Sequence, residues 1–173
     1  HSYTDGLFIC GRSIFETNYA WISYTLKEIQ NINNVNWLIK DHPEKSYETH
    51  KANTSTRREF YKIVDQKKNN IKLFPNGISA LSLFNILSTI ITGNGTVGLE
   101  YSVFGTPTIL ANNSHYSGFD FTHEPNSLDE YSNYLKNIHK LNKLNEEQKS
   151  NARIFVSIEL NQSIANLGLL PKF

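Results

Sequence analysis

The chain has one cysteine, Cys10, and no methionine in 173 residues. A single thiol excludes an internal disulfide framework and a cysteine zinc site, and its place in an apolar run predicts an inert buried thiol in a reducing compartment. Charge of one sign is missing too: 17 basic residues face 16 acidic ones, for a net charge of +1. Such a balance excludes a broad nucleic-acid surface, so any anion has to be bound by local geometry. No apolar run approaches the length that spans a bilayer, and the amino end lacks the basic, apolar and small-residue pattern of a signal peptide, which predicts a soluble protein. His50, His123 and His139 share no ligand spacing with nearby acids, so no metal is expected. Repeats and low-complexity segments are absent. A start at His1 with no methionine anywhere points to an excised piece of a longer chain or to modified methionines missing from the sequence as written.

What is present centres on Ser88 to Ala111. Thr89 to Thr92 are the residue types of a buried parallel strand, Gly93-Asn94-Gly95 can take dihedrals that exclude side chains, and Thr96 can cap a helix bearing Val97, Leu99 and Tyr101. Gly105 ends that helix and Pro107 starts the next strand. A strand, a glycine turn and a helix aim free backbone N–H groups past the strand end, which is a phosphate-binding geometry. Glu100, four residues after Thr96, shares its helix face and is placed to accept from ribose hydroxyls. The plainer reading leaves the turn as a short connection and Glu100 as a solvated helix residue.

The same alternation runs along the chain. Leu7 to Gly11 reads as a first strand, with Arg12 and Ser13 at its carboxyl end; Asn18 to Asn31 has the apolar spacing of a helix. Val35 to Lys40 is a second strand, stopped by Asp41, His42 and Pro43. Arg57 to Lys68 is a short amphipathic helix, Ile71 to Pro75 a third strand and Ser79 to Leu87 a third helix. After Thr108 to Ala111 comes a loop, Asn112 to Glu124, whose Tyr, His, Gly and Phe suit ligand contact. Ser127 to Glu130 and Asn145 to Gln148 are capping signatures for two last helices. Trp21, Trp37, Phe60, Phe84 and Phe104 fall at core positions. The expected fold is α/β, a Rossmann-like three-layer sandwich with a parallel sheet of five or six strands and a helical carboxyl end, in one domain over residues 1–173. In such sheets ligands bind beyond the carboxyl ends of the strands. That rule gathers Ser13, Asp41 to Pro43, Gly93 to Thr96 and Asn112 to Tyr116 on one edge.

Taken together, Lys40-Asp41-His42-Pro43, Thr92 to Glu100, Gly105-Thr106-Pro107 and Tyr116 to Thr122 resemble the carboxyl-terminal half of GT-B glycosyltransferases, nearest to bacterial capsule polysaccharide biosynthesis proteins. The resemblance covers about residues 5 to 160. It implies that Lys40, His42, Pro43 and the turn Gly93, Asn94, Gly95 and Thr96 bind the donor nucleotide and its phosphates, that Glu100 faces the ribose, and that His42 stabilises the leaving group. It also implies a nucleotide-sugar ligand, CMP-, UDP- or GDP-linked, with no further cofactor. A polysaccharide or glycolipid acceptor would be held by an amino-terminal domain that these residues do not include. The compartment implied is the cytoplasm, with peripheral attachment at the inner face of the cytoplasmic membrane left open.

Ser13 at the cleft edge, and His115 and Tyr116 in the loop, complete the candidate ligand contacts, the last two by stacking on or bonding to base or sugar. Asp120 and Glu124 are placed to pair as carboxylates. Two other functions remain open on these residues: a non-hydrolysing UDP-sugar epimerase, which needs catalytic acids from another domain, and a module that binds a nucleotide or a partner without catalysis.

Overall fold

The computed structural model describes residues 13–40, 56–75 and 78–168. The proposed first strand, with Cys10 and Arg12, lies outside them, as do His42, Pro43 and His50. The described chain is α/β, with five helices and two parallel sheets.

Helix α1 (Asn18–Ile29) begins where Thr17, in an extended conformation, accepts the Ala20 N–H at 3.0 Å, a side-chain cap for one of the orphan donors of the first turn. Its buried residues Asn18, Trp21, Ile22, Leu26 and Ile29 recur at three- and four-residue steps and form one face. Strands β1 (Trp37–Ile39) and β2 (Ile71–Leu73) pair in parallel, Trp37 opposite Ile71. Asn70 fixes their register by donating to the carbonyls of Ile32 and Val35 at 3.0 and 2.9 Å. Helix α2 (Thr56–Ile63) stands between them in the chain and packs on α1.

The second sheet has the order β3-β4-β5, all parallel: β3 (Ile90–Thr92), β4 (Thr108–Leu110) and β5 (Thr122–His123). All three residues of β4 are buried. Ile109 joins the core of α1 and α4 (Leu128–Lys136), while Leu110 joins that of α3 (Val97–Val103) and α5 (Glu146–Gly168). Successive strand residues point to opposite faces, so this sheet is sandwiched between two helical layers. Trp37 and Ile71 of the first sheet lie in the same apolar core as Ile109 and Ala111. Both sheets thus share the core built around α1.

Among the described residues the strands lie in two parallel sheets, of two and three. Three expectations change. The segment Ser79 to Leu87 is not an α-helix but a single 3-10 turn, Ala80–Leu83, followed by further turns. Strand β5 rises out of what reads as loop, because two residues are too few to show an apolar alternation. Phe104 is 60 % exposed rather than in the core: it is the residue just past α3, where the chain turns away, and the Phe84 ring lies against it, centroids 4.1 Å apart. The last two helices start as their capping signatures require. Ser127 Oγ accepts the Glu130 N–H, and Asn145 and Gln148 exchange reciprocal side-chain bonds with each other's N–H groups.

Candidate functional site

The turn after β3 is held from below by backbone and from the side by two hydroxyls. Asn112 N–H donates to the Gly93 carbonyl at 3.0 Å, continuing the β3–β4 ladder one residue past the strands. Ser114 Oγ donates to the Asn94 carbonyl at 3.2 Å and Tyr116 Oη to the Gly95 carbonyl at 2.5 Å, while the Gly95 N–H donates to Thr92 Oγ1 at 3.2 Å. The loop after β4 therefore grips the turn after β3 at three successive carbonyls. The Thr96 and Val97 N–H groups make no hydrogen bond to another described residue. Because α3 has only seven residues, attraction for an anion there comes from these first-turn donors more than from a long aligned dipole.

Glycine in this region answers to space, not to dihedrals. Neither Gly93 nor Gly95 has positive φ, contrary to the conformation expected for the turn. A Cβ on Gly93 would sit 3.3 Å from the Trp21 ring, and one on Gly98 would lie 2.5 Å from Tyr116 Oη and 2.8 Å from Thr108 Cγ2. Gly98 is what lets α3 lie directly on β4 and the Tyr116 ring. Thr96 does not cap α3: its hydroxyl turns outward and donates to Glu100 Oε1 at 3.1 Å, with both residues exposed.

Two buried asparagines tie the strand ends together. Asn112 Nδ2 donates to Asn18 Oδ1 at 3.3 Å, and the Ser13 hydroxyl donates to Asn112 Oδ1 in a very short contact, beside an antiparallel bridge between these two residues. Ser13 also accepts the Phe15 N–H at 3.1 Å. Its hydroxyl is thus engaged within the protein. Asn18 and Asn112 are 1 and 6 % exposed, and Asn18 approaches Gly93 as well. Asn112 opens the segment that the strand-end rule gathers at this edge, whereas Asn18 is missed by sequence reasoning, although a polar residue on the apolar stripe of α1 is a readable signal.

The remaining candidates separate. Tyr116 is fully buried, its ring packed against Phe121, and burial raises its phenol well above the ordinary range, so the hydroxyl stays a donor to the turn. It shapes the turn from behind and offers no ring face to a ligand. His115 is exposed and faces away, its Nε2 3.1 Å from Glu159 of α5. Lys40, at the end of β1, sits with its ammonium 5.2 Å from the centre of the Phe74 ring, at the edge of the other sheet. Asp120 does not pair with Glu124. It is exposed with φ of 63°, whereas Glu124 accepts from the Gly118 N–H at 2.8 Å and the Thr122 hydroxyl at 2.6 Å.

A cavity of about 280 Å³ opens at the carboxyl ends of β4 and β5, bordered by Asn112, Asn113 and Glu124. Asn112 is common to the cavity and the glycine turn, so the two adjoin. Among the described residues no three His, Cys, Asp or Glu side chains gather as a metal site, and no helix is long and apolar enough to cross a membrane. No family model, curated protein or solved structure matches this chain.

Proposed function

We propose that this chain is the donor-nucleotide-binding domain of a glycosyltransferase that builds a bacterial capsular or surface polysaccharide. The observation that carries the reading is the turn Gly93 to Thr96. It lies at the carboxyl edge of a parallel sheet with its carbonyls tied down, two N–H groups without described partners, and an exposed carboxylate, Glu100, one helical turn further on. Clamped carbonyls and open donors favour a phosphate over water, because the donors need no reorganisation when the anion arrives. Glu100 would then accept from ribose hydroxyls, exchanging its bond to Thr96 for one to the ligand. His42, which with Pro43 lies outside the described residues, would complete the phosphate side, as the resemblance implies. Its imidazolium would offset the charge that develops on the leaving group. Catalysis in this reading is positioning and electrostatics, and the acceptor and its base belong to another domain of a longer cytoplasmic protein.

The parallel strand orders support the reading. The sheets have the orders β2-β1 and β3-β4-β5 around one core. A doubly wound sheet of order 3-2-1-4-5-6 differs from these only by one strand between β1 and β3. In this reading the two sheets are parts of one such Rossmann-like sheet of five or six strands.

Calorimetric titration of the protein with CMP, CDP, UDP and GDP tests the function, together with Glu100→Ala and His42→Ala. One nucleotide should bind and both variants should weaken it. Absence of binding by all four to a folded sample rejects the donor site. Transfer of sugar to an acceptor by the longer protein, rather than isomerisation of the donor, separates the transferase from an epimerase.

A further inference from the structure

The cavity beside the glycine turn is built of different chemistry from the turn itself. Ile14 and Pro125 line it together with the polar residues Asn112, Asn113, Glu124 and Asn126. Its volume, about 280 Å³, falls just short of the ~300 Å³ at which pockets begin to hold drug-sized ligands, so it suits a single ring rather than a nucleotide. Apolar side chains beside amides and a carboxylate match a ring whose faces are C–H and whose edge is hydroxyl.

The charge of the rim is the informative part. Glu124 is fixed through Oε1, which accepts from the Gly118 N–H and the Thr122 hydroxyl, while Oε2 makes no hydrogen bond among the described residues. The carboxylate is therefore pre-positioned with an acceptor in reserve. No lysine, arginine or histidine is among the described residues that line the cavity. The neighbouring His123 stacks on Tyr134, ring centroids 5.2 Å apart, and its burial lowers its pKa, so it stays neutral at pH 7. A second carboxylate brought here would meet Glu124 with nothing described to offset it, whereas hydroxyls or an ammonium would be welcomed.

We propose that this cavity receives the sugar ring of the donor and selects a neutral or amino sugar over an acidic one, with Glu124 as the specificity-determining residue. This rests on the donor-domain reading and narrows it, because it sets aside acid sugars as the transferred group.

The test compares glucose, glucosamine and glucuronate, which differ in charge on one ring scaffold, by NMR of the side-chain amides of Asn113 and Asn126. Glucose and glucosamine should shift these signals, and glucuronate should bind about tenfold more weakly. Glu124→Gln should largely close that gap. Its amide oxygen can still accept from Gly118 and Thr122, so the loop keeps its bonds. Asn113→Asp should widen the gap without removing any bond within the protein. Glucuronate binding as tightly as glucose, or no sugar perturbing these amides, overturns the proposal. Titration with the bare nucleotides, read at the Thr96 and Val97 amides, reports on the donor reading separately. Sugar selectivity without any nucleotide binding would keep the cavity as a selective sugar site and remove its assignment to a donor.

Discussion

The two parallel sheets end very differently at their carboxyl edges. Beyond β3 and β4 the chain is cross-linked: Asn112, Ser114 and Tyr116 hold three successive carbonyls of the facing turn, and Asn112 is itself held by Ser13 and Asn18. Beyond β1 and β2 the described residues offer one cation over one ring, Lys40 on Phe74. Both edges are ends of parallel strands, where ligands bind in open α/β sheets. Among the described residues, buried polar groups hold a turn still at the β3–β4 edge alone. Buried hydrogen-bond networks are costly when incomplete, so their concentration at one edge marks where a fixed geometry is needed.

That contrast can be broken in steps. The largest effect is expected from Gly98→Ala, because the added methyl has no room against Tyr116 Oη and Thr108. Overpacking of this kind should cost about 3 kcal/mol by denaturant unfolding, even though alanine is the better helix former. Gly118→Ala is the natural control. Nothing lies within 4 Å of its missing Cβ, so only the left-handed backbone, φ of 82°, opposes it. It should lose about 1 kcal/mol, and equal losses at the two sites would deny that α3 is packed as tightly as described.

Next in size is Asn112→Ala, which removes the buried bonds that Asn112 makes with Asn18 and Ser13 and should destabilise by about 2 kcal/mol. Its unfolding midpoint should fall while the amides of Ser13 and Gly93 shift in NMR spectra. Unmoved amides would mean that the network is not continuous. Tyr116→Phe removes one bond to a carbonyl that still accepts from the Gly98 N–H at 3.2 Å. About 1 kcal/mol should be lost, with the larger effect in faster hydrogen exchange around Gly95. Smallest is Lys40→Ala at the other edge, where an exposed cation over a ring is worth about 0.5 kcal/mol. A loss there as large as that at Asn112 would erase the difference between the edges.

Much of the fold was legible because it follows periodicity. The apolar steps of α1, the caps of α4 and α5 and the β-branched runs of β3 and β4 are local signals that tertiary packing reinforced. What was not legible depended on contact across the chain. Strand β5 exists because β4 offers it an edge, and two residues carry no period of their own. The apolar spacing of Ser79 to Leu87 suits a helix, yet only a 3-10 turn forms there, and Ile86 remains 72 % exposed. At the site, the left-handed backbone expected of the glycine turn does not form, since neither Gly93 nor Gly95 has positive φ, and it is Gly98 whose missing Cβ leaves room for Tyr116 and Thr108. Tyr116 was read as a ligand contact from its loop composition. Composition cannot distinguish a tyrosine that faces out from one whose hydroxyl reaches inward to Gly95. The pairing of Asn18 with Asn112 spans most of the chain and leaves only a polar residue out of place on an apolar face as its trace.

The central claim is that the turn Gly93 to Thr96 is a phosphate cradle, and backbone amide NMR during titration with nucleoside diphosphates and CMP tests it most directly. The account predicts that one nucleotide shifts the Thr96 and Val97 amides together, that the Lys40 amide moves less, and that Glu100→Ala weakens the response without abolishing the fold. A folded protein in which these two amides stay unmoved by every nucleotide would contradict it, and would leave the clamped turn as a structural joint between β3 and α3.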